Sequence, residues 1–560
     1  MLKSKLIVLG IIIISLFSWL DLTKPGYQSM HDDMQFMRLY QLDKCVKDGQ
    51  IPCRWVPDLG YGYGYPLFNY YPPLSYYTGE AIHLITNIGF LDTSKILFAL
   101  GFIISGIGMY FLAREFWGDI GGFLSAVFYI YAPYHAVDVY VRGAMAEHWA
   151  LNWFPLIFLS IYKIIKEEKF KWVVLLAFSY GLLLLSHNIM SMLFTIPAVI
   201  WGLVWLIKSR NFKKIIRLGL GALWGVGISA FFFLPVIFEK KFVHTETMTM
   251  GYFNYLSHFV TIRQLFVKTD WGWGASVGPD DLFPYMIGIL HWGISLLSLL
   301  LAIIFWRAKE NKEKLIAIIF GVVFLFGTAF MSHQRSVPIW IHVKILEYLQ
   351  FPWRFLGLVI FFASFSVGSV VVFFTRIRAR LLISVLLIIG LLFSVRLYFQ
   401  PEVHYYTQTD NDRLSGELWQ LSLTNAIFDY LPIYATYPPA DEAKKEPQVI
   451  EGKATLENLE KGTNWQKFEI NVASDMSTVQ FQLYDFPGWI VKVDGKVVKI
   501  DHNNFLGLIT INVPAGKHLV EARLTDTPIR KTGNLVSVFS IIALALGGIV
   551  VLKKKGSSRI

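Results

Sequence analysis

Apolar residues along this chain do not alternate with polar ones. They gather into runs of 13 to 25 residues, almost free of charge and separated by stretches rich in lysine or in aromatic and polar residues. About 20 apolar residues cross a bilayer as a helix, and shorter runs do so when flanking groups snorkel. Twelve such runs occur, at 6–20, 96–112, 120–132, 149–162, 172–185, 189–207, 216–238, 282–306, 315–331, 355–375, 381–395 and 535–552. The pattern predicts an α-helical polytopic membrane protein with about twelve transmembrane helices. The apolar stretch 72–90 is expected to be an interfacial helix, because a thirteenth span would invert every later loop and break the charge bias described next.

Taking alternate loops as one compartment, the termini and the clusters at 114–119, 163–171, 208–217, 307–314, 376–380 and 553–559 place 23 basic residues with only six acidic ones, leaving 28 bases with 34 acids on the other side. The basic side is expected to be cytoplasmic, which puts both termini inside, in a plasma membrane. The first run has no small-residue cleavage site after Ser18-Trp-Leu-Asp21 and reads as an uncleaved anchor. Two segments on the other side are long, 21–95 and 398–532. The second carries short strand patterns at 479–484, 490–493, 497–500, 508–513 and 519–524, with turns at Asp494-Gly495 and Pro514-Ala-Gly516, and suggests a β-sandwich over about 448–527. The layout expected is a transmembrane module at 1–397, an extracytoplasmic region at 398–532, and a last helix with a basic tail at 533–560. The halves of the chain show no internal repeat.

Composition agrees with the pattern. Of 560 residues 54% are hydrophobic and 16% charged, and the mean hydropathy is +0.48. The net charge of +11 is accounted for by the cytoplasmic loops, so it is no sign of nucleic-acid binding. Cys45 and Cys53 are too few, and wrongly spaced, for structural zinc. They face an oxidising side, where they either pair across a short loop or remain surface thiols. Within the runs His291 is the only clear ionisable residue, whereas ion-coupled transporters carry carboxylates at mid-membrane. Polar groups collect instead where a lipid headgroup is reached.

The first long loop opens with His31-Asp32-Asp33, about eleven residues beyond the first run. A carboxylate pair there serves as a general base opposite a lipid-linked phosphate, or it caps the amphipathic stretch that follows with Phe36, Leu39, Tyr40 and Val46. A metal at His31, Asp32 and Asp33 is a further option; no cofactor is required. Arg142, His187 and Arg354 lie at loop or run ends, Arg142 beside Asp138 and Glu147. They would offer charge or hydrogen bonds to a phosphate, although interfacial snorkelling explains the arginines equally well and a satisfied turn residue explains His187. Trp55, Tyr61, Tyr63, Tyr65, Tyr70 and Tyr71 are candidates for stacking on sugar faces, or members of an interfacial aromatic belt. The alternation of Gly60, Gly62 and Gly64 with tyrosines lacks the strand-to-helix setting of a dinucleotide fingerprint.

The His31-Asp-Asp33 opening, the aromatic stretch 51–77, Tyr140-Val-Arg-Gly-Ala-Met-Ala-Glu147 and Leu185-Ser-His-Asn188 together resemble the GT-C superfamily of membrane glycosyltransferases that use lipid-phosphate sugars. Within it the chain is most similar to the group labelled 6-pyruvoyl-tetrahydropterin synthase-related membrane proteins. Gln350-Phe-Pro-Trp-Arg354, Phe486-Pro-Gly-Trp489, Val493-Asp-Gly495 and Pro514-Ala-Gly-Lys-His518 also resemble YfhO-like bacterial proteins. The resemblance runs along nearly the whole chain and implies inverting transfer from a polyprenyl-phosphate sugar to an envelope glycan or protein acceptor. It implies an acidic base in the first outer loop, at Asp32 in preference to Asp33, where a small residue is common. The histidine often found near position 36 is Phe36 here, which speaks against a metal cluster. Readings from other classes are a lipid-linked glycan transporter, disfavoured by the apolar spans, and a non-catalytic envelope scaffold with a glycan-binding β-domain.

Overall fold

The computed structural model describes residues 2–277, 280–305, 312–425 and 427–557. The end of the eighth run at 306 and the basic positions 307, 309 and 559 lie outside the described residues. Among those described, eight helices are long and apolar enough to cross a membrane: Ser4–Thr23, Phe90–Ile130, Asn188–Ser209, Phe212–Phe238, Lys312–Ser332, Pro352–Phe373, Ile377–Ser394 and Pro528–Val551. Phe90–Ile130 is two limbs rather than one rod. Gly118 adopts φ 73°, ψ −178° within it, and Ile130 packs against Gly106, a contact that about 36 Å of straight helix would forbid. Shorter helices at Phe154–Glu167, Phe170–Ser186 and Ile289–Phe305 carry three further apolar runs.

Each of the twelve runs therefore falls largely on helix, with two corrections. The eighth begins as extended chain, and helix starts only at Ile289, after Gly288 at φ 95°. Apolarity there reflects aromatic packing of Phe283 on Tyr285 and Trp353. The fourth is interrupted at 151–153, because Pro155 sits in the first turn of Phe154–Glu167 and a proline has no N–H to continue a helix from upstream. The stretch 72–90 gives the helix Leu74–Thr86. Its 13 residues reach only about 20 Å, too short to cross. It packs on Gln35–Lys47, where Gly79 lies against Leu39.

Pro352–Phe373 is the central helix, buried over almost its whole length. Ile377–Ser394 and Pro528–Val551 leave most of their apolar side chains exposed, as helices facing lipid do. The last helix lies close against Ile215–Phe238. Gly227 leaves room for Ser540, and Gly533 sits against the Ala230 carbonyl. Ser537 donates to the Gly227 carbonyl at 3.1 Å and accepts from the Phe231 N–H at 2.8 Å. Small residues permit this approach.

The C-terminal β-domain consists of one bent six-stranded antiparallel sheet. Gln448–Glu451 pairs with Trp465–Tyr484, which pairs with Leu508–Leu524, then Trp489–Val493, then Lys496–Val498; Ala454–Lys461 also joins Trp465–Tyr484. The strands expected to form a sandwich are thus hydrogen-bonded in a single sheet. Asp494 and Gly495 both take positive φ and close the expected tight hairpin between Trp489–Val493 and Lys496–Val498. Pro514-Ala-Gly516 is no turn. The strand Leu508–Leu524 runs straight through it, and the irregularity is a bulge opposite residues 472–476. A proline is tolerated there because a bulge does not need its N–H. Residues of the first long loop, Trp55, Tyr63 and Tyr70, share one core with Phe468, Phe481, Phe486 and Trp489 of this domain.

Candidate functional site

The acidic opening of the first loop is fixed by backbone bonds to a distant segment. The His31 N–H donates to the Val141 carbonyl at 3.0 Å and the Asp32 N–H to the Arg142 carbonyl at 2.8 Å. The turn is locked further by Gly143, at φ 64°, whose Cα faces Met30 and whose carbonyl accepts from the Gln35 amide at 2.8 Å. Two motifs far apart in sequence, 31–33 and 140–147, therefore meet as one piece of structure.

The three side chains at 31–33 nevertheless diverge. The Asp32 carboxylate accepts from Arg38 at 2.8 Å and from Gln35 at 3.2 Å. Asp33 pairs with Arg413 at 2.7 Å, and His31 Nε2 lies 3.2 Å from the Trp273 carbonyl. Among the described residues no three His, Cys, Asp or Glu side chains gather as metal ligands. The option of a metal at His31, Asp32 and Asp33 therefore does not fit this geometry, since two of the three groups are already neutralised by different arginines. The simple cap is also replaced: Met34 occupies the N-cap of Gln35–Lys47 and provides no side-chain bond.

Arg142, Glu147 and Arg354 do come together. Arg142 donates to Asp138 at 2.6 Å, to Glu147 at 2.7 Å and to the Tyr134 hydroxyl at 3.1 Å, and Tyr134 donates to the other Glu147 oxygen at 2.7 Å. Arg354 Nε is 3.6 Å from Glu147. Its Nη1 donates to the Leu349 carbonyl and to Gln350, while Nε makes no hydrogen bond. Trp353 lies beneath Arg142, 4.7 Å from the guanidinium. Within the segment Gln350-Phe-Pro-Trp-Arg354, Gln350 thereby orients Arg354 and Trp353 seats Arg142. His187 accepts from the Met190 N–H at 3.1 Å as the N-cap of Asn188–Ser209. Burial holds it well below the usual histidine range, at about 3, with the Glu147 carboxylate opposing.

The loop aromatics take another role. Trp55, Tyr63, Tyr65 and Tyr70 are buried. Trp55 meets Phe486 and Trp489, Tyr63 meets Tyr484, and Tyr70 meets Tyr430. Tyr71 lies under Arg38 at 4.1 Å, and Tyr61 is half-buried, with its backbone bonded to Leu423 and Ala443. Their rings are used in packing the loop to the sheet, which corrects the expectation of sugar stacking for the buried four. Cys45 and Cys53 are joined as a disulfide. Gly60, Gly62 and Gly64 all take positive φ, and a Cβ on Gly64 would strike the Trp55 indole.

Several residues of the site are absent from the sequence reading. Arg38 is buried and links Asp32, Tyr71 and the Tyr76 hydroxyl. Asp429 lines a small cavity with Arg38 and Tyr71. Burial pushes its carboxyl up to about 6, with Arg38 opposing. Arg38 does lie one helical turn beyond Met34, so a helix reading of 35–47 with Asp32 at its entrance identifies it; Asp429 and Arg413 come from the far end of the chain and leave no local trace.

Helices that bury arginines and carboxylates at one pole, roofed by a loop and a β-sheet, define a polytopic membrane protein with a polar site at the end of its helix bundle. A family model described as 6-pyruvoyl-tetrahydropterin synthase related domain, membrane protein, matches residues 68–401, and the chain belongs to that family. An uncharacterised protein of Lactococcus lactis subsp. cremoris strain MG1363 is 28% identical over 244 residues, 41% of this chain and 39% of that one; the similarity thus spans about two-fifths of that relative. Among solved structures the chain is similar to ArnT from Cupriavidus metallidurans bound to undecaprenyl phosphate (TM-score 0.42, 14% identity, 68% of this chain and 62% of that chain). It is similar also to the mycobacterial arabinofuranosyltransferase AftD (0.45, 12%, 73% and 28%). A third is the oligosaccharyltransferase AglB of Archaeoglobus fulgidus with an inhibitory peptide and a dolichol-phosphate (0.39, 10%, 71% and 55%).

Proposed function

We propose that the chain is a glycosyltransferase that moves a sugar from a polyprenyl-phosphate donor to a hydroxyl or amide of an envelope glycan or protein on the extracytoplasmic side. The observation that carries this reading is the meeting of Asp32 with Arg142, whose partner Glu147 also faces Arg354. One carboxylate for proton removal and a guanidinium pair for a phosphate thus stand at the same pole of the helix bundle. The motif resemblance supplies the reaction class.

In this reading Asp32 accepts the proton of the acceptor as its oxygen or nitrogen attacks the anomeric carbon. The bond from that carbon to the phosphate oxygen breaks, and the electron pair leaves with the phosphate, giving inversion. Arg38 and Gln35 orient the carboxylate. Arg354 Nε, the donor left without an acceptor, serves the departing phosphate, and Arg142 adds field from a seat fixed by Asp138, Glu147 and Trp353. Both carboxylates are paired, Asp32 with Arg38 and Asp33 with Arg413; the choice of Asp32 as base follows the motif resemblance, and Asp33 is given no part.

The test uses membranes containing the full chain and a panel of radiolabelled polyprenyl-phosphate sugars. Asp32→Asn is expected to lower transfer by about 10²- to 10⁴-fold, while Asp33→Asn keeps most of it. Transfer by Asp32→Asn at the wild-type rate, or no transfer from any donor by folded wild type, overturns the proposal.

A further inference from the structure

Next to the arginine pair the backbone makes a turn that side chains rarely adopt. The short helix Lys344–Leu349 and the first turn of the central helix, Pro352–Phe355, are separated only by Gln350 and Phe351. Pro352 keeps the residue before it out of helical backbone, and Phe351 is extended, at φ −123°, ψ 109°. The change of direction therefore falls on Gln350, at φ 64°, ψ −46°. Across it the Phe351 N–H donates to the Leu349 carbonyl at 2.6 Å, which closes the rare, strained form of γ-turn. Glycine takes that conformation with no Cβ to strain it, yet the chain carries a buried glutamine there.

Turn and side chain converge on Arg354. The Leu349 carbonyl, aimed by the turn, accepts from Arg354 Nη1 at 2.8 Å, and Gln350 Oε1 accepts from the same nitrogen at 2.9 Å. The other end of the amide is anchored on a separate loop, where Nε2 donates to the carbonyl of Met248, in the turn Glu246–Thr249, at 2.9 Å. Both acceptors on Nη1 are neutral, so they fix the guanidinium without cancelling its charge. With Nη1 held from this side, Nε lies 3.6 Å from Glu147 and has no acceptor. A glycine closes the same turn but leaves the amide's hold on Nη1 unmade. Strain that persists because its surroundings over-determine it is a pointer to function.

We propose that Gln350 is a positioning residue for Arg354: glutamine rather than glycine occupies the strained turn because its amide aims the guanidinium at the departing phosphate. The proposal rests on the glycosyltransferase reading, in which Arg354 serves that phosphate. Gln350 touches no substrate itself. It acts through Arg354 as charge gathers on the leaving oxygen in the transition state.

The test compares Gln350→Gly with Gln350→Ala in the full chain in nanodiscs, with a radiolabelled polyprenyl-phosphate sugar that the wild type transfers. Both variants lose the amide, and only glycine relieves the turn. Gln350→Gly is expected to unfold at a higher temperature than Gln350→Ala, the reverse of the order found where φ is negative. Both are expected to lower kcat by about tenfold to a hundredfold, with the donor KM within about threefold of wild type. A glutamine with only a structural role gives another pattern, in which transfer follows stability and Gln350→Gly outperforms Gln350→Ala. That pattern, a wild-type kcat in either variant, a loss confined to donor KM, or later unfolding of Gln350→Ala overturns the proposal. No transfer by folded wild type from any donor overturns the glycosyltransferase reading and this proposal with it, whereas transfer by wild type and both variants at one rate overturns this proposal alone.

Discussion

Single charged side chains in this protein are held by partners remote in sequence, and their energetics follow from burial. Glu147 is fully buried and serves two arginines and a tyrosine hydroxyl at once. Removing one member of such a group strands the others in a low-dielectric site, at a cost of about 3–5 kcal/mol. Glu147→Gln is accordingly expected to lower thermal stability strongly, whereas Asp33→Asn, at a partly exposed carboxylate whose buried partner Arg413 keeps its bond to Gln408, is expected to lower it less. Unfolding midpoints in detergent check this, and equal shifts for the two variants contradict the ranking. Arg142, Glu147 and Arg354 were legible because charges at the ends of apolar runs need a reason. Asp138 stands out in sequence only as a neighbour of Arg142, and Tyr134 not at all, because nothing local distinguishes a buried partner from a loop residue.

At the scale of elements, apolar runs located the helices because a lipid-facing or fully buried helix needs no periodicity, only length. The same rule overran at 282–288, where apolar residues pack as extended chain. The tight hairpin was legible in Asp494-Gly495, since few residues tolerate two successive positive φ values. Pro514-Ala-Gly516 misled, because a bulge and a turn use the same residues. Gly118 carried no signal in a glycine-rich helix, yet its φ and ψ belong to a region that is nearly glycine's alone. Gly118→Ala is expected to destabilise by about 1–3 kcal/mol, read from the unfolding midpoint, although nothing lies near its missing Cβ. Between Gln35–Lys47 and Leu74–Thr86, Glu80 is buried with both oxygens unpartnered. Burial, aided by Asp43, pushes its carboxyl up to about 7 from 4.5. The folded protein thus holds a proton that the unfolded chain releases near 4.5, so Glu80 makes stability fall as pH rises from about 4.5 to 7. Glu80→Gln is expected to remove about 1–3 kcal/mol of that fall. Parallel stability–pH curves for the two proteins refute it.

Across the whole molecule, the first loop, the end of Ile215–Phe238 and the start of the last helix are tied by one buried group. Glu239 accepts from Arg530 at 2.9 Å and from Asn69 at 3.1 Å, and is bonded by Thr527; Arg54 donates to Asn534 at 2.8 Å. This joint sets the β-domain over the pole that holds Asp32, which gives the orientation of the chain its functional weight. The proposed topology, inferred from the charge asymmetry, has that pole outside and the lysine-rich loops inside. The disulfide makes the question easy to test, because Cys45 and Cys53 are paired and no other cysteine is present. A single added cysteine therefore carries the whole maleimide signal. Lys453→Cys, exposed on the β-domain, is expected to react with a membrane-impermeant maleimide in intact cells. Lys213→Cys, exposed in the first turn of Phe212–Phe238 at its basic end, is expected to react only after permeabilisation. The reverse pattern would turn Asp32 toward the cytoplasm, where an extracytoplasmic acceptor never arrives, and the proposed transfer would fall with the topology.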